Sequence, residues 1–228
     1  MNRYCISFSK SGYGKYSSHL DLLRLFKRAF RRAGIPVAYS HGFNPHPKMS
    51  FAQPLSLGYA ADNELLEFET EEPVSLISSV SELNKDMPQG ITVACVGEVS
   101  GAKSLAASVY AADFTVSVPV PYYEKDYPAL VKDYLAKDEI LAEKKQKKTG
   151  KTAETNIRGK IRDMSAEKAD DNTLILKLKL DCGSKSNLSP ELVIGTFFAF
   201  ADKQIKRHEI DVSRTRLYIP IDISIKWL

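Results

Sequence analysis

The sequence predicts an α+β protein built from tandem ferredoxin-like (βαββαβ) halves, the first carrying an elaborated loop. Two observations lead there. Alternating and helix-period apolar runs follow one another as β, α, β, β, α, β over residues 3–100, and a similar order recurs over 113–228. The length of 228 residues also suits two domains of about 100 residues each. The expected organisation is therefore an N-terminal domain over 1–100, a linker over 101–112 and a C-terminal domain over 113–228.

In the first half, RYCISF (residues 3–8) alternates and places Tyr4, Ile6 and Phe8 on one face of a strand. The loop SKSGYGKYSS follows. It lacks the GxxxxGK(S/T) spacing of a P-loop, so no nucleotide cradle of that kind is expected, although Lys10 and Lys15 could touch phosphate. Ser18, with Asp21 three residues on, gives a capping-box start to a helix over 19–33. On that helix Leu22, Leu23, Leu25, Phe26, Ala29, Phe30 and Ala33 fall within an arc of about 160°. Arg24, Lys27, Arg28, Arg31 and Arg32 fall on the opposite arc. Gly34 supplies the C′ stop, reinforced by Pro36. Residues 35–39 read as a short strand and SHGFNPHP as an irregular, exposed loop. A strand over 48–57 interrupted by Pro54, a strand over 65–70 with its acids facing out, a helix over 74–83 and a strand over 91–96 complete the half.

In the second half, 114–118 alternates as a strand, 127–135 reads as a helix and 140–144 as a short strand. KKQKKTGKTAETN (144–156) reads as a flexible, lysine-rich connection. Residues 157–164 and 174–180 form a strand pair around the turn EKADDNT, Ser189 caps a helix begun by Pro190, and VSRTRLYIPIDIS supplies a final strand. Within that strand Arg214 and Arg216 share a face.

Charge is unevenly distributed. Residues 1–48 carry nine Lys or Arg against Asp21 alone, residues 61–100 one Lys against nine acids, and residues 144–162 eight cations against one acid. A field of this kind steers anionic ligands. Surface helices normally mix cations with acids for i,i+4 pairing. Five cations opposite a single acid are better explained by an anionic partner, RNA above all.

Other classes are disfavoured. No apolar run approaches the roughly 20 residues that span a bilayer, and MNRYCISFSKSG contains no apolar h-region, so no membrane partner is expected and the cytoplasm is the expected location. Cys5, Cys95 and Cys182 are odd in number and far apart, which argues against a disulfide framework. They suit small buried hydrophobic positions. No paired-carboxylate or Ser/His/Asp spacing stands out, and no cofactor is expected.

The stretch 17–51 holds three of the four histidines. His19 lies in the first helical turn, where backbone N–H groups can hold an anion. His41 and His46 lie in the loop. They are candidates for ligand or phosphate contact, for general acid or base chemistry near neutral pH, and for plain structural roles. The three could also converge on a metal with an open fourth position, but their spacing forms no chelating motif and none is expected. Tyr39 and Phe43 among cations suit base stacking in single-stranded RNA recognition; Phe43 could equally close the core beneath its loop. Lys48 joins this nucleic-acid-binding set. Alternation in IRGKIR places Arg158, Lys160 and Arg162 on one strand face, as a phosphate-tracking groove or a solvated hairpin would.

The string HLDLLRLFKRAFRRAGIPVAYSHGFNPHPKMSFAQPLSLG, followed by IRGKIRDM, LKLDCGSKSNLSPELVIGTF and SRTRLYI, resembles the signature of the radical-SAM-linked proteins, a bacterial family built on a domain of unknown function. The resemblance covers most of the chain. It implies a domain fused to or encoded beside a radical SAM protein, and a role in RNA or ribosome metabolism that includes presenting a substrate to such an enzyme. It also implies an acidic residue where this chain has Asn156. The chain itself lacks the closely spaced CxxxCxxC thiolates that a radical SAM cluster needs.

Two functions follow as expectations. The first is a non-catalytic RNA-binding accessory protein. The second is an RNA-processing or RNA-modifying enzyme using loop histidines, similar in outline to CRISPR repeat-processing endoribonucleases and some tRNA-modifying enzymes.

Overall fold

The computed structural model of the chain describes residues 1–76, 78–120, 124–145 and 152–228. In chain order its strands are β1 (Asn2–Lys10), β2 (Met49–Phe51), β3 (Ala60–Thr70), β4 (Ile91–Ser100), β5 (Ala111–Val118), β6 (Leu141–Lys145), β7 (Thr152–Asn156), β8 (Ile161–Asp170), β9 (Thr173–Asp181), β10 (Asp211–Tyr218) and β11 (Ser224–Trp227). The helices are α1 (His19–Arg32), α2 (Ser79–Asn84), α3 (Leu105–Ser108), α4 (Tyr127–Leu135) and α5 (Pro190–Phe200). The protein is α+β. It forms two compact units, one of Met1–Tyr110 with Arg214–Leu228 and one of Ala111–Ser213.

In the first unit the strands run β11-β4-β1-β3, with β2 added to β3, and the pairings within this set are antiparallel. The register Tyr4↔Phe68 and Ile6↔Leu66 brings the apolar residues of β1 and β3 onto one face. Helix α1 covers that face. Its capping box forms as the sequence predicts, with Ser18 accepting from the Asp21 N–H and Asp21 accepting from the Ser18 N–H. Leu22, Phe26, Ala29 and Phe30 are buried, and Leu23, Leu25 and Ala33 pack beside them. The Phe26 ring meets Phe8 edge-on at 4.8 Å, and Phe30 lies 4.7 Å from Phe68. Each such aromatic stabilises the unit by roughly 1.5–3 kcal/mol through burial.

Several local expectations change. Residues 35–39 make two isolated bridges, Val37↔Thr70 and Tyr39↔Pro47, and no strand. Pro36 has no N–H to give, which breaks any ladder there. The strand expected over 48–57 shortens to β2. The acids of β3 do not all face out: Glu64 and Glu67 are buried. Glu67 accepts from Arg3 Nε at 2.7 Å and from the Leu105 N–H at 2.7 Å. Arg3 in turn donates to the carbonyls of Gly101 and Lys103. Residues 101–105 are thus clamped to the sheet and are no free linker, and the unit boundary falls after Tyr110. Residues 214–228 return to the first unit, where β11 pairs with β4.

Gly90 holds the loop after β1. The Ser11 N–H bonds the Gly90 carbonyl at 2.8 Å. Gly90 has φ +89°, and a Cβ there would stand 2.3 Å from the Ser11 carbonyl oxygen. Gly90→Ala is therefore expected to cost on the order of 2 kcal/mol, read as a lower thermal midpoint.

The second unit has β5-β9-β8 in antiparallel order, with Phe114↔Leu178 and Val116↔Leu176 in register, and β6 and β7 paired antiparallel in a separate sheet. Tyr134 of α4 packs edge-on against Phe197 of α5 at 5.4 Å, and its hydroxyl lies 2.7 Å from Thr196 Oγ1. Of the lysine-rich connection, residues 146–151 lie outside the described residues. No helix among the described residues is long and apolar enough to cross a membrane.

Candidate functional site

The polar face of α1 is as cationic as the periodicity predicts: Arg24, Lys27, Arg28, Arg31 and Arg32 are all exposed. Their surroundings differ. Arg32 pairs with Asp86 at 2.7 Å, and Arg24 stands 3.6 Å from Asp21. Lys27, Arg28 and Arg31 form no ion pair among the described residues. Arg31 and Arg32 lie in the last turn, where cations complement the helix dipole. That local reason does not extend to Lys27 and Arg28.

Beside this face, residues 40–46 close into a braced loop. The Ser40 N–H donates to the His46 carbonyl at 2.8 Å, and the His46 N–H returns a bond to Ser40 Oγ at 3.0 Å. The Lys48 N–H bonds the Ala38 carbonyl at 2.7 Å below them. Gly42, at φ +123°, takes a turn that an L side chain resists. Phe43 at the tip is fully exposed, at 112% of its reference area, so it does not close the core. Phe43→Ala is expected to change stability by less than about 0.5 kcal/mol, measured by denaturant unfolding. At the loop base Tyr39 is 45% exposed, and Lys27 Nζ stands 5.9 Å from its ring centroid.

Two clefts flank this base and share Pro47 and Met49 in their walls. One, of about 450 Å³, is lined by His46 with two ion pairs, Arg3–Glu67 and Lys48–Glu69, the second at 3.2 Å. Its charges cancel in pairs. The other, of about 150 Å³, is lined by Phe30, Ile35, Pro36, Val37 and Tyr39, with Lys27 and Arg31 also in its wall.

The histidines are not brought together, and no group of three metal-binding side chains gathers among the described residues. His19 lies edge-on to Phe51 at 5.2 Å. The anion position at the start of α1 is already filled by Asp21, whose carboxyl Ser18 holds below the ordinary carboxylate range by hydrogen bonding. An external anion would meet that charge. His41 is exposed on the loop, and only His46 of the three lines a cleft described above.

The second basic region departs from the predicted strand face. Arg158–Lys160 is a 3-10 turn, so alternation does not apply there. Arg158 Nε donates to the Leu135 carbonyl at 2.8 Å, and Arg162 pairs with Asp181 at 2.6 Å. These two arginines hold the second unit together. Among the described residues, Lys160 shows no such tie. Asn156, where the resemblance implies an acid, accepts from the N–H groups of Ile140 and Arg158 at 3.1 and 3.0 Å. A side-chain oxygen suffices for that role, and a carboxylate would serve equally.

One constellation joins residues far apart in the sequence. Arg214 Nε donates to Glu64 at 2.7 Å and its Nη2 to the Gln53 carbonyl at 2.6 Å, with Arg214 2% and Glu64 3% exposed. Lys10 joins them at 1% exposure, donating to the Ser17 carbonyl at 3.2 Å. Lys10 is therefore not available to an external phosphate. Burial, followed by the nearby Arg214, outweighs the pull of Glu64 and lowers its pKa from the ordinary lysine value.

These features define a two-unit α+β protein in which a cationic helix face adjoins a braced loop with an exposed aromatic tip. The chain belongs to the family described as "uncharacterized protein conserved in bacteria" (DUF2344), whose model matches residues 3–190. That match takes in α1, the loop and both clefts. No curated protein matches the chain.

Proposed function

We propose that this protein is a cytoplasmic RNA-binding accessory protein of RNA or ribosome metabolism, working with a radical SAM protein. The observation that carries the RNA reading is the exposed cation row of α1, in which Lys27, Arg28 and Arg31 have no acidic partner among the described residues. A solvated structural helix would compensate such a row. RNA phosphates supply the missing charge. The radical SAM partner rests on the sequence resemblance. Mixing the protein with a radical SAM protein encoded beside it tests that part: co-elution on size exclusion supports it, and separate elution at micromolar concentration removes it.

Each unit is further read as ferredoxin-like. In the first, the element order β1-α1-β2-β3-α2-β4 with strand order β4-β1-β3-β2 supports this. In the second, β5-α4-β8-β9-α5, with the β6–β7 pair inserted between α4 and β8 as a separate sheet, and strand order β5-β9-β8 support it.

A second reading, an RNA-processing or RNA-modifying enzyme, is favoured by one observation: His46 shares its cleft with Arg3, Lys48, Glu67 and Glu69. An imidazole beside carboxylates and cations is a candidate general acid or base. If this reading holds, RNA incubated with the protein is altered and His46→Ala abolishes the product. RNA recovered unchanged from the wild-type protein removes it.

A further inference from the structure

We propose that two tyrosines in the loop before α1, Tyr13 and Tyr16, form a platform on which unpaired bases of the bound RNA strand stack. This deepens the RNA-binding reading and rests on it. Residues Gly12–Tyr16 form a 3-10 turn. Side chains three apart in such a turn lie one above the other, so Tyr13 and Tyr16 share an edge of it. Both are exposed, Tyr13 at 85% and Tyr16 at 60%. Leu20, in the first turn of α1, is exposed as well, and so is Leu57, next to Gly58, whose N–H bonds the Lys15 carbonyl at 2.8 Å. Large apolar side chains gathered in water mark a contact surface, where single ones would not.

The turn is held firmly. The Ser17 N–H bonds the Gly14 carbonyl at 3.0 Å, and a Cβ on Gly14 would stand 2.6 Å from the Gly90 carbonyl oxygen. Its backbone is therefore already ordered, and little ordering is left for binding to cost. The neighbouring cations select the partner. Lys15 Nζ lies 5.5 Å from the Tyr16 ring centroid. At 100° per residue, Leu20 falls in the same arc of about 100° as Arg24, Lys27, Arg28 and Arg31, so the apolar patch runs into the cation row. The core of a protein–protein contact is depleted of charge. A single-stranded nucleic acid instead presents flat apolar faces beside anions, and the grooves that bind it combine aromatic rings with cations. Bases in a duplex stack on one another, so the platform takes bases from single strands, loops or ends. Every base has a π-face, so the platform reads no sequence.

The test uses the full chain and two fluorescent single strands of equal length and charge, oligouridylate and its abasic counterpart, with binding read by anisotropy. The wild-type protein is expected to bind oligouridylate about tenfold more tightly than the abasic strand. Tyr13→Ala combined with Tyr16→Ala is expected to remove most of that ratio by weakening oligouridylate alone. The salt dependence is expected to stay as in the wild type, because no phosphate contact is lost. Tyr13→Phe with Tyr16→Phe is expected to retain the ratio, since the ring carries the stacking. Arg28→Glu is expected to weaken both strands by the same factor. Equal wild-type affinities, a ratio unchanged in the double alanine variant, or an equal loss on both strands overturns the platform, while Arg28→Glu still reports on RNA binding. Failure of the wild-type protein to bind either strand overturns the platform and the RNA reading together.

Discussion

Glu64→Ala is expected to be among the most destabilising single changes in the first unit, by about 3–5 kcal/mol, measured by urea unfolding. Its carboxylate takes two hydrogen bonds from the Arg214 guanidinium, and its charge also acts on the buried Lys10. Removing it leaves two like charges buried without the carboxylate that offsets them. Lys10→Met is expected to be far milder, because it leaves the Arg214–Glu64 pair neutral. Lys10 also makes the stability of the unit depend on pH. The pKa of Lys10 is lower in the folded than in the unfolded chain, so the unfolded chain binds more protons between those two values. The Lys10 contribution therefore moves toward stability as pH rises through that window, up to the ordinary lysine range. Lys10→Met is expected to flatten that rise, and an identical alkaline stability profile in the variant would show that Lys10 does not cause it.

Arg28→Glu combined with Arg31→Glu is expected to lower affinity for single-stranded RNA on the order of 100-fold at moderate salt. Both side chains are exposed and lack ion pairs among the described residues, so the fold is expected to survive, with stability lowered only by reversal of the Arg31 charge at the end of α1, about 0.3–1 kcal/mol. The paired cations provide the contrast. Arg32→Gln, which breaks an exposed pair with Asp86, is expected to have a smaller effect on RNA. Unchanged RNA affinity in the folded double variant would remove α1 from the binding surface.

The local structure of the first unit was largely legible because it follows from short-range rules. Ser18 and Asp21 announced the start of α1, the 3.6-residue period separated Phe26 and Phe30 from Arg28 and Arg31, and alternation placed Tyr4, Ile6 and Phe8 on the core face. What periodicity could not reveal were partners distant in sequence. Glu64 shares a face with Leu66 and Phe68, a warning that it is buried, yet its partner Arg214 lies 150 residues away. Glu67 looked like an outward acid because Arg3 and the Leu105 N–H, which bind it, belong to other segments. The expected linker over 101–112 followed from the same blindness, since low local periodicity does not reveal the clamp made by Arg3. In the site, the cation row was readable and the exposure of Phe43 was not. Whether an aromatic in a loop turns inward depends on the bonds between Ser40 and His46 that brace it. Alternation misled at Arg158–Lys160, because a 3-10 turn has a different period from a strand.

The central claim is that a cationic surface on this protein binds RNA through its phosphates. The most direct measurement is the dissociation constant of the wild-type protein for single-stranded RNA from about 50 to 200 mM monovalent salt. For three to five phosphates held by the α1 row, the logarithm of the association constant is expected to fall linearly with the logarithm of salt, at a slope of about −2 to −3.5. Arg28→Glu with Arg31→Glu is expected to reduce that slope. No binding at the lowest salt, or an affinity that does not change with salt, would contradict the claim.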